Sequence, residues 1–449
     1  MTHKNSPASD SGGAVKHDNQ SSVRAVTAAC IGNIMEWYDF SMYAFYAMYI
    51  ASNFFGSKDP GVQLVEAFMA FGLGYVIRPV GAVILGAYGD RKGRKSVLLL
   101  TIFLMAAGTG IIAFAPTYAV IGIGAPILIV IARLLQGFSA GGELGGAAAF
   151  LVEHAPAKKK GQYAAWLQAS MGITNILAAL TALAMNHFFT KPELTEWAWR
   201  IPFILGLSIL PVGLWLRRTL DETPEFEAEM QRQHAENVQK KAPFSLLLKN
   251  YSKELMMGTG ICILWVVSVY VLIIYMPTHV QRAWKFAGTD AFLAMFCGNV
   301  FLIGGCVLSG AISDRIGRLR MLTITAALLA GCVLPIFMWI DASRSLATLI
   351  TAEIILCILV SLYSGVAPAA LSEIFKTEVR TSGMAISYNL ASGVFGSFAP
   401  AILTWIFNTS GSLLSPAYYV MAAGGFSLAA IYSLHVYSAN RKGVAGTIR

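Results

Sequence analysis

The chain has 449 residues, of which 56% are hydrophobic and only 13% are charged, and its net charge is +9. Soluble domains carry about 25% charged residues, so this composition excludes a water-soluble globular protein. The basic residues stand in short clusters between long apolar runs, which is typical of the loops of membrane proteins and argues against a nucleic-acid partner. The composition therefore indicates a chain whose main partner is a lipid bilayer.

The predicted elements begin after a polar tail over residues 1–24, which lacks the apolar core of a signal peptide and is expected to be disordered. Twelve apolar segments follow, and each is expected to be a helix because backbone in a bilayer must satisfy its own hydrogen bonds. Their predicted ranges are 25–54, 63–89, 96–115, 118–152, 162–189, 199–216, 255–280, 290–312, 320–340, 346–374, 382–407 and 415–437. A polar linker over 218–253 divides them, so we predict six-helix bundles over 25–217 and 254–437 and a second tail over 438–449.

Lysine and arginine are distributed unequally between alternate loops. Both tails, the linker and every second loop hold most of them, and such loops stay in the cytoplasm. We therefore predict a multi-pass protein with both termini cytoplasmic, and the short loops favour a bacterial inner membrane. The sequence contains neither a GxxxxGK[ST] nucleotide loop nor a metal-ligand spacing, so we predict no cofactor, no metal and no enzymatic activity.

The pattern Gly-x-x-x-Asp-Arg-x-Gly-Arg occurs after the second helix and again after the eighth. Its polar and turn-forming residues are Gly86, Asp90, Arg91, Gly93 and Arg94 in the first copy and Asp314, Arg315, Gly317 and Arg318 in the second. A further echo relates Glu153, after the fourth helix, to Glu373 and Arg380, after the tenth. Two six-helix halves with a substrate site between them are typical of alternating-access carriers.

This loop pattern and the segment Arg133-Leu-Leu-Gln-Gly137 resemble the signatures of the major facilitator superfamily. Other stretches are similar to the metabolite:proton symporter family within it, namely Gly32–Phe40, Ile77–Gly81, Arg133–Glu143, Glu196–Phe203 and Leu220–Pro224. The resemblance covers residues 25–437. It implies an all-α membrane protein, with twelve transmembrane helices in two pseudo-symmetric six-helix bundles, that acts as a monomer.

The resemblance also implies a secondary active transporter that takes up an organic acid with protons. The chain is most similar to the citrate and tricarballylate symporters, through a general likeness of the fourth to sixth helices. Other members of the family carry 2-oxoglutarate, shikimate or zwitterionic osmolytes, and these substrates remain alternatives. A passive facilitator is a further alternative.

Five of the charged residues within the apolar helices stand out: Glu36, Asp39, Arg78, Arg133 and Glu143. A charge in the hydrocarbon region is costly, so such residues are functional candidates. Glu36 and Asp39 share a helix face, and we predict proton coupling by them together with Arg133 and Glu143. Guanidinium groups bind carboxylates, so Arg78 and Arg133 are candidate anion anchors. Salt bridges that brace the helices are the alternative, and arginines fully paired with these carboxylates would weaken the inference of an anionic substrate.

Polar residues in other helices are candidates for substrate binding or for helix packing. They are Tyr38, Gln168, Asn175, Tyr275, Tyr388 and Asn389. The resemblance assigns the repeated loops, with Glu153, Glu373 and Arg380, to a cytoplasmic gate that latches the two halves in the outward-facing state.

Overall fold

The computed structural model describes residues 30, 33–34, 36–92, 94–141, 151–152, 155–156, 158–218, 250–376 and 379–444. The predictions for Gly93, Glu143 and Glu153 fall outside these residues, as do the predicted tail over 1–24 and most of the linker. The side chains of Asp90, Arg91 and Arg94 likewise lie outside the described part, so the first copy of the loop pattern stays a prediction.

The described residues form helices in the predicted order. In chain order they are α1 (36–54, with a turn at Tyr46), α2 (Pro60–Val76 and Arg78–Lys92), α3 (Arg94–Phe114), α4 (Gly124–Ala140), α5 (Lys160–Phe188), α6 (Ile201–Arg218), α7 (Ser252–Ala283), α8 (Gly288–Ile316), α9 (Arg318–Ser343), α10 (Leu346–Ile374), α11 (Arg380–Ser410) and α12 (Ser415–Val444). Within the described ranges, eight of these helices are long and apolar enough to cross a membrane, and α3 and α4 contain shorter apolar stretches.

Four helices are interrupted just before a proline. Proline has no backbone N–H and its ring crowds the preceding turn, so it removes one helical hydrogen bond and favours an irregular turn before it. The interruptions are Ile77 before Pro79 in α2, the π-helical turn Tyr270–Tyr275 before Pro277 in α7, Gly365–Val366 before Pro368 in α10, and Ser392–Phe398 before Pro400 in α11. Because α7 is the most deeply enclosed of the eight long helices, its π-helical turn lies near the centre of the protein.

Helices α2 and α4 touch backbone to backbone through glycines. A Cβ atom at Gly137 of α4 would overlap the carbonyl group of Gly74 in α2, and a Cβ at Gly74 would lie 2.9 Å from the carbonyl oxygen of Arg133. Small residues allow this kind of close helix packing in membranes. The contact fixes the positions of Arg78 on α2 and Arg133 on α4 relative to each other.

We expect Gly137→Ala to destabilise the protein by roughly 1–3 kcal/mol, as overpacking does in a filled interior. The matched control is Gly110→Ala in α3, where no described atom lies within 4 Å of the position that a Cβ would take. Thermal unfolding of the two variants in detergent measures the difference. Equal melting temperatures for both variants would contradict the close contact between α2 and α4.

Candidate functional site

Arg78 and Glu36 form an ion pair in the centre of the protein. The Arg78 Nη2 atom lies 3.2 Å from Glu36 Oε1, and the side chains are 1% and 3% exposed. The guanidinium carbon lies 4.1 Å from the ring centre of Tyr75 and 4.6 Å from that of Phe40. The Nε and Nη1 atoms of Arg78 have no hydrogen-bond partner among the described residues. The ion pair therefore uses only part of the donor capacity of this arginine.

Arg133 is fully buried and forms no ion pair with a described carboxylate. Its Nη1 atom donates to Gln136 Oε1 at 2.7 Å, and its guanidinium carbon lies 4.5 Å from the Phe40 ring centre and 4.6 Å from that of Tyr43. Its Nε and Nη2 atoms have no hydrogen-bond partner among the described residues. Both guanidinium groups thus contact the Phe40 ring, and each presents buried donors that an anion could accept from.

A hydrogen-bond chain connects Arg133 to Asp39. Beyond Arg133, Gln136 Nε2 donates to Thr109 Oγ1 at 3.0 Å, and Thr109 Oγ1 donates to Asp39 Oδ2 at 2.5 Å. On the other side of the carboxylate, a Cβ atom at Gly206 of α6 would lie 3.0 Å from Asp39 Oδ1, so the glycine leaves room for it. Glu36 and Asp39 share one face of α1, as predicted. Glu36 pairs with Arg78, whereas Asp39 is connected to Arg133.

Asn175 belongs to a polar bridge between three helices. Ser41 Oγ of α1 donates to Asn175 Oδ1 of α5 at 3.0 Å, and Asn175 Nδ2 donates to Asn299 Oδ1 of α8 at 3.2 Å. The bridge therefore joins the first six helices to the last six. Gln168 is buried on α5, about two turns before Asn175.

Aromatic rings of α2, α7 and α11 line one side of the cluster. The Tyr388 ring centre lies 4.8 Å from that of Trp265, and the Tyr75 ring centre lies 5.3 Å from that of Tyr270. Tyr75 connects these rings to the cluster, because the Arg78 guanidinium carbon lies 4.1 Å from its ring centre.

The remaining predicted binding residues lie at the margin of this cluster or elsewhere. Asn389 follows Tyr388 in α11 at the edge of the buried region, and Tyr38 lies beside Gly206. Tyr275 faces another part of the interior, where its hydroxyl accepts from Thr404 Oγ1 at 3.1 Å and its ring packs on Phe68.

The second copy of the loop pattern joins the two halves at one end of the protein. The backbone N–H groups of Gly161 and Gln162, at the start of α5, donate to Asp314 Oδ1 and Oδ2 at 2.9 and 3.1 Å. Arg318 pairs with Asp314 at 3.0 Å and with Glu373 at 2.5 Å. Gly317 of the pattern has a φ of +94° where α8 meets α9. Glycine is favoured at this position because it adopts a positive φ without steric cost.

The described part of the chain contains two further residues of the predicted gate, Arg315 and Arg380. Arg315 is exposed, and Arg380 Nε donates to the carbonyl oxygen of Ser372 at 3.1 Å.

Sequence reasoning missed three residues of the interior that carry polar groups. Gln136 and Thr109 complete the chain to Asp39. Gln136 lies in the Arg133–Gly137 segment noted above, but neither residue was selected as a candidate because both are uncharged. Glu353 of α10 is a single acidic residue in a long apolar run, and the rule that selected Glu36 and Asp39 would have found it. It is 2% exposed and lies between α8 and α10.

A model of the Major Facilitator Superfamily matches residues 29–400. The chain belongs to this family. It is 35% identical over 412 residues to the citrate-proton symporter of Salmonella typhi, which covers 92% of this chain and 94% of the relative. It is 34% identical to the citrate-proton symporter of Klebsiella pneumoniae, over 93% of each chain. A putative proline/betaine transporter of Staphylococcus haemolyticus is 32% identical, over 94% of this chain and 90% of the relative.

Among solved structures, a D-xylose-proton symporter superposes with a TM-score of 0.70 at 18% identity, over 93% of this chain and 97% of the other. At this identity the likeness bears on the fold alone, and it confirms the predicted major facilitator architecture. The present protein is therefore a multi-pass membrane transporter and not an enzyme.

Proposed function

We propose that this protein is a secondary active transporter that moves a tricarboxylate, such as citrate or tricarballylate, together with protons by alternating access. One observation carries the proposal: each of the two buried guanidinium groups, Arg78 and Arg133, has two nitrogen atoms without a hydrogen-bond partner among the described residues. Unsatisfied buried donors are costly, and a carboxylate is the group that guanidinium binds best. The citrate-proton symporters among the relatives support the same substrate class.

The ion pair between Arg78 and Glu36 supplies a direct means of proton coupling. While Glu36 is ionised, it competes with a substrate carboxylate for Arg78. A proton on Glu36 removes that competing charge, so substrate and proton bind together. When Glu36 is protonated, Arg78 loses its counter-charge. Because an unpaired charge in a low-dielectric interior is strongly unfavourable, Arg78 then binds a substrate carboxylate more tightly.

Protonation of Asp39 provides a second means of coupling, because it changes the hydrogen bonds that lead to Arg133. Its carboxylate ends the chain through Thr109 and Gln136 to Arg133. When Asp39 gains a proton, its oxygen atoms accept less strongly from Thr109, and the hydrogen bonds along the chain rearrange. Arg133 then changes its bonding to Gln136 and is free to hold a substrate carboxylate.

The contact between Asp314 and the start of α5 is proposed as a latch between the halves. The carboxylate accepts from the N–H groups of a helix N-terminus, which favours negative charge. We place this latch on the cytoplasmic side of a bacterial inner membrane, with both chain termini on that side and one chain as the working unit. The segments 25–217 and 254–437 are the bodies that move relative to each other.

Binding of unlabelled compounds to the purified protein tests the substrate class. Isothermal titration should show binding of citrate and tricarballylate but not of betaine or proline. Repeating the citrate titration in buffers of different ionisation enthalpy should show protons taken up on binding. Binding of betaine or proline without binding of citrate would identify a zwitterion carrier instead.

We expect Asp39→Asn to uncouple transport from the proton gradient. The amide cannot carry the exchangeable proton, so an inward gradient should no longer accelerate citrate uptake into proteoliposomes. Exchange of internal for external citrate should persist, because it needs no net proton movement. The control Glu196→Gln changes an exposed carboxylate and should behave as the wild type. Full gradient-driven uptake by Asp39→Asn would remove Asp39 from the coupling mechanism.

A further inference from the structure

Glu353 is a buried carboxyl group with no cationic partner among the residues that the structure describes. It lies in α10 and is 2% exposed. Its Oε1 atom lies 3.9 Å from the Cys357 thiol, which is the donor, and its Oε2 atom has no hydrogen-bond partner among the described residues. Neither Glu36 nor Asp39 is isolated in this way, since each is linked to an arginine.

A glycine of the neighbouring helix α8 leaves space for the Glu353 side chain. A Cβ atom at Gly298 of α8 would lie 3.0 Å from Glu353 Cγ and 2.7 Å from Cys357 Sγ, so the absent side chain at Gly298 leaves the space that Glu353 occupies. Helices α5, α7, α8, α9 and α11 pack against α10. The described titratable group in contact with Glu353 is the Cys357 thiol on α10 itself, and no described lysine, arginine or histidine forms an ion pair or hydrogen bond with this carboxyl group.

The position of Glu353 connects it to the contact between the halves. Gly298, which packs on Glu353, directly precedes Asn299, and Asn299 carries the hydrogen bond to Asn175 of α5. Any movement of α8 that breaks this bridge therefore also changes the surroundings of Glu353. The mechanism proposed above, through Arg78 and Arg133, does not use this carboxyl group.

An ionised carboxylate in this environment would have no counter-charge and too few hydrogen bonds, whereas the neutral acid avoids the loss of hydration of a charge. We propose that Glu353 is a further proton-carrying residue, which holds a proton while α8 and α10 are packed on α5 and releases it to water when alternating access opens this contact. The step is a reversible ionisation in which the O–H bond of the acid breaks, the carboxylate keeps the electron pair and water accepts the proton. This inference rests on the proposed proton-coupled transport.

Infrared spectroscopy of the protein in lipid tests the protonation without any substrate. The wild type should show a carbonyl stretch of a protonated carboxylic acid at neutral pH, and Glu353→Gln should lack that band. The control Asp290→Asn alters a partly exposed carboxylate at the start of α8 and should keep the band. If Glu353→Gln is not obtained as a monodisperse protein, Glu353→Asp keeps an acid and should shift the band. Identical spectra for wild type and variant would overturn the proposal.

Transport then tests whether the proton moves. With an inward gradient of one pH unit, each coupled proton contributes about a tenfold factor to steady-state accumulation. Glu353→Gln should therefore accumulate substrate about tenfold less than the wild type, while exchange across the membrane is retained. Unchanged accumulation would show that the proton on Glu353 is static and would overturn the inference. Failure of the wild type to transport citrate would instead overturn the proposed substrate, because the infrared band does not depend on it.

Discussion

Replacing Arg133 with lysine is expected to weaken citrate binding roughly 100-fold, since the loss of a charge-assisted hydrogen bond costs about 1.5–3 kcal/mol. Lysine keeps the positive charge but lacks the planar pair of donors that matches a carboxylate. It also loses the packing of the guanidinium group on Phe40 and Tyr43. Titration of citrate into purified wild type and variant measures the change.

The matched control for this variant is Arg200→Lys. Arg200 also packs on an aromatic ring, with its guanidinium carbon 4.6 Å from the Trp199 ring centre, but it donates to the carbonyl oxygen of Ala113 away from the central cluster. Its replacement should leave citrate affinity within a few-fold of the wild type. A loss of similar size in both variants would mean that Arg133 acts through stability and not through the substrate.

Replacing Asp314 with asparagine is expected to open the latch between the halves. The neutral amide loses the ion pair with Arg318. Because one carboxylate oxygen becomes an NH2 group, which donates and does not accept, the amide can accept from only one of the two N–H groups of α5. A loss of roughly 2–3 kcal/mol shifts a two-state equilibrium by roughly 30- to 160-fold. The open population should become dominant if the closed state is favoured by less than this amount.

Spin labels at Lys158 and Arg320 report this change, because both positions are exposed and lie beside the latch on different halves. The half-buried Cys297 and Cys332 are replaced first so that labelling is specific. Asp314→Asn should add a longer distance between the labels. The control Asp341→Asn breaks an exposed pair with Arg344 inside one half and should leave the distances unchanged. An unchanged distance distribution in Asp314→Asn would contradict the latch.

The helices and the buried charges were accessible from the sequence because both depend on local composition. Apolar runs specify membrane helices, and Glu36, Asp39, Arg78 and Arg133 were found as charges within such runs. Salt bridges among them were considered as an alternative, but which carboxylate is linked to which arginine was not accessible, because it depends on how α1, α2, α3 and α4 pack.

Tyr275 shows how a local irregularity limits sequence reasoning. A π-helical turn contains one extra residue, which rotates the following positions by about 100° relative to an α-helix. Tyr275 ends that turn and faces Thr404, whereas Tyr270 begins it and faces Tyr75.

The hydrogen bonds of Asp314 in the latch could not be predicted from the sequence for a different reason. The Asp-Arg-x-Gly-Arg pattern was visible in the sequence, but the acceptor role of Asp314 for backbone N–H groups of α5 depends on a contact between the two halves.

Uptake of labelled citrate into proteoliposomes, with and without an inward proton gradient, tests the proposed function most directly. Unlabelled tricarballylate, 2-oxoglutarate, shikimate and betaine compete in parallel. Accumulation of citrate that requires the gradient and is blocked by tricarballylate is the expected result. Uptake of another compound without uptake of citrate would contradict the substrate, and citrate uptake that is indifferent to the gradient would contradict the coupling through Glu36 and Asp39.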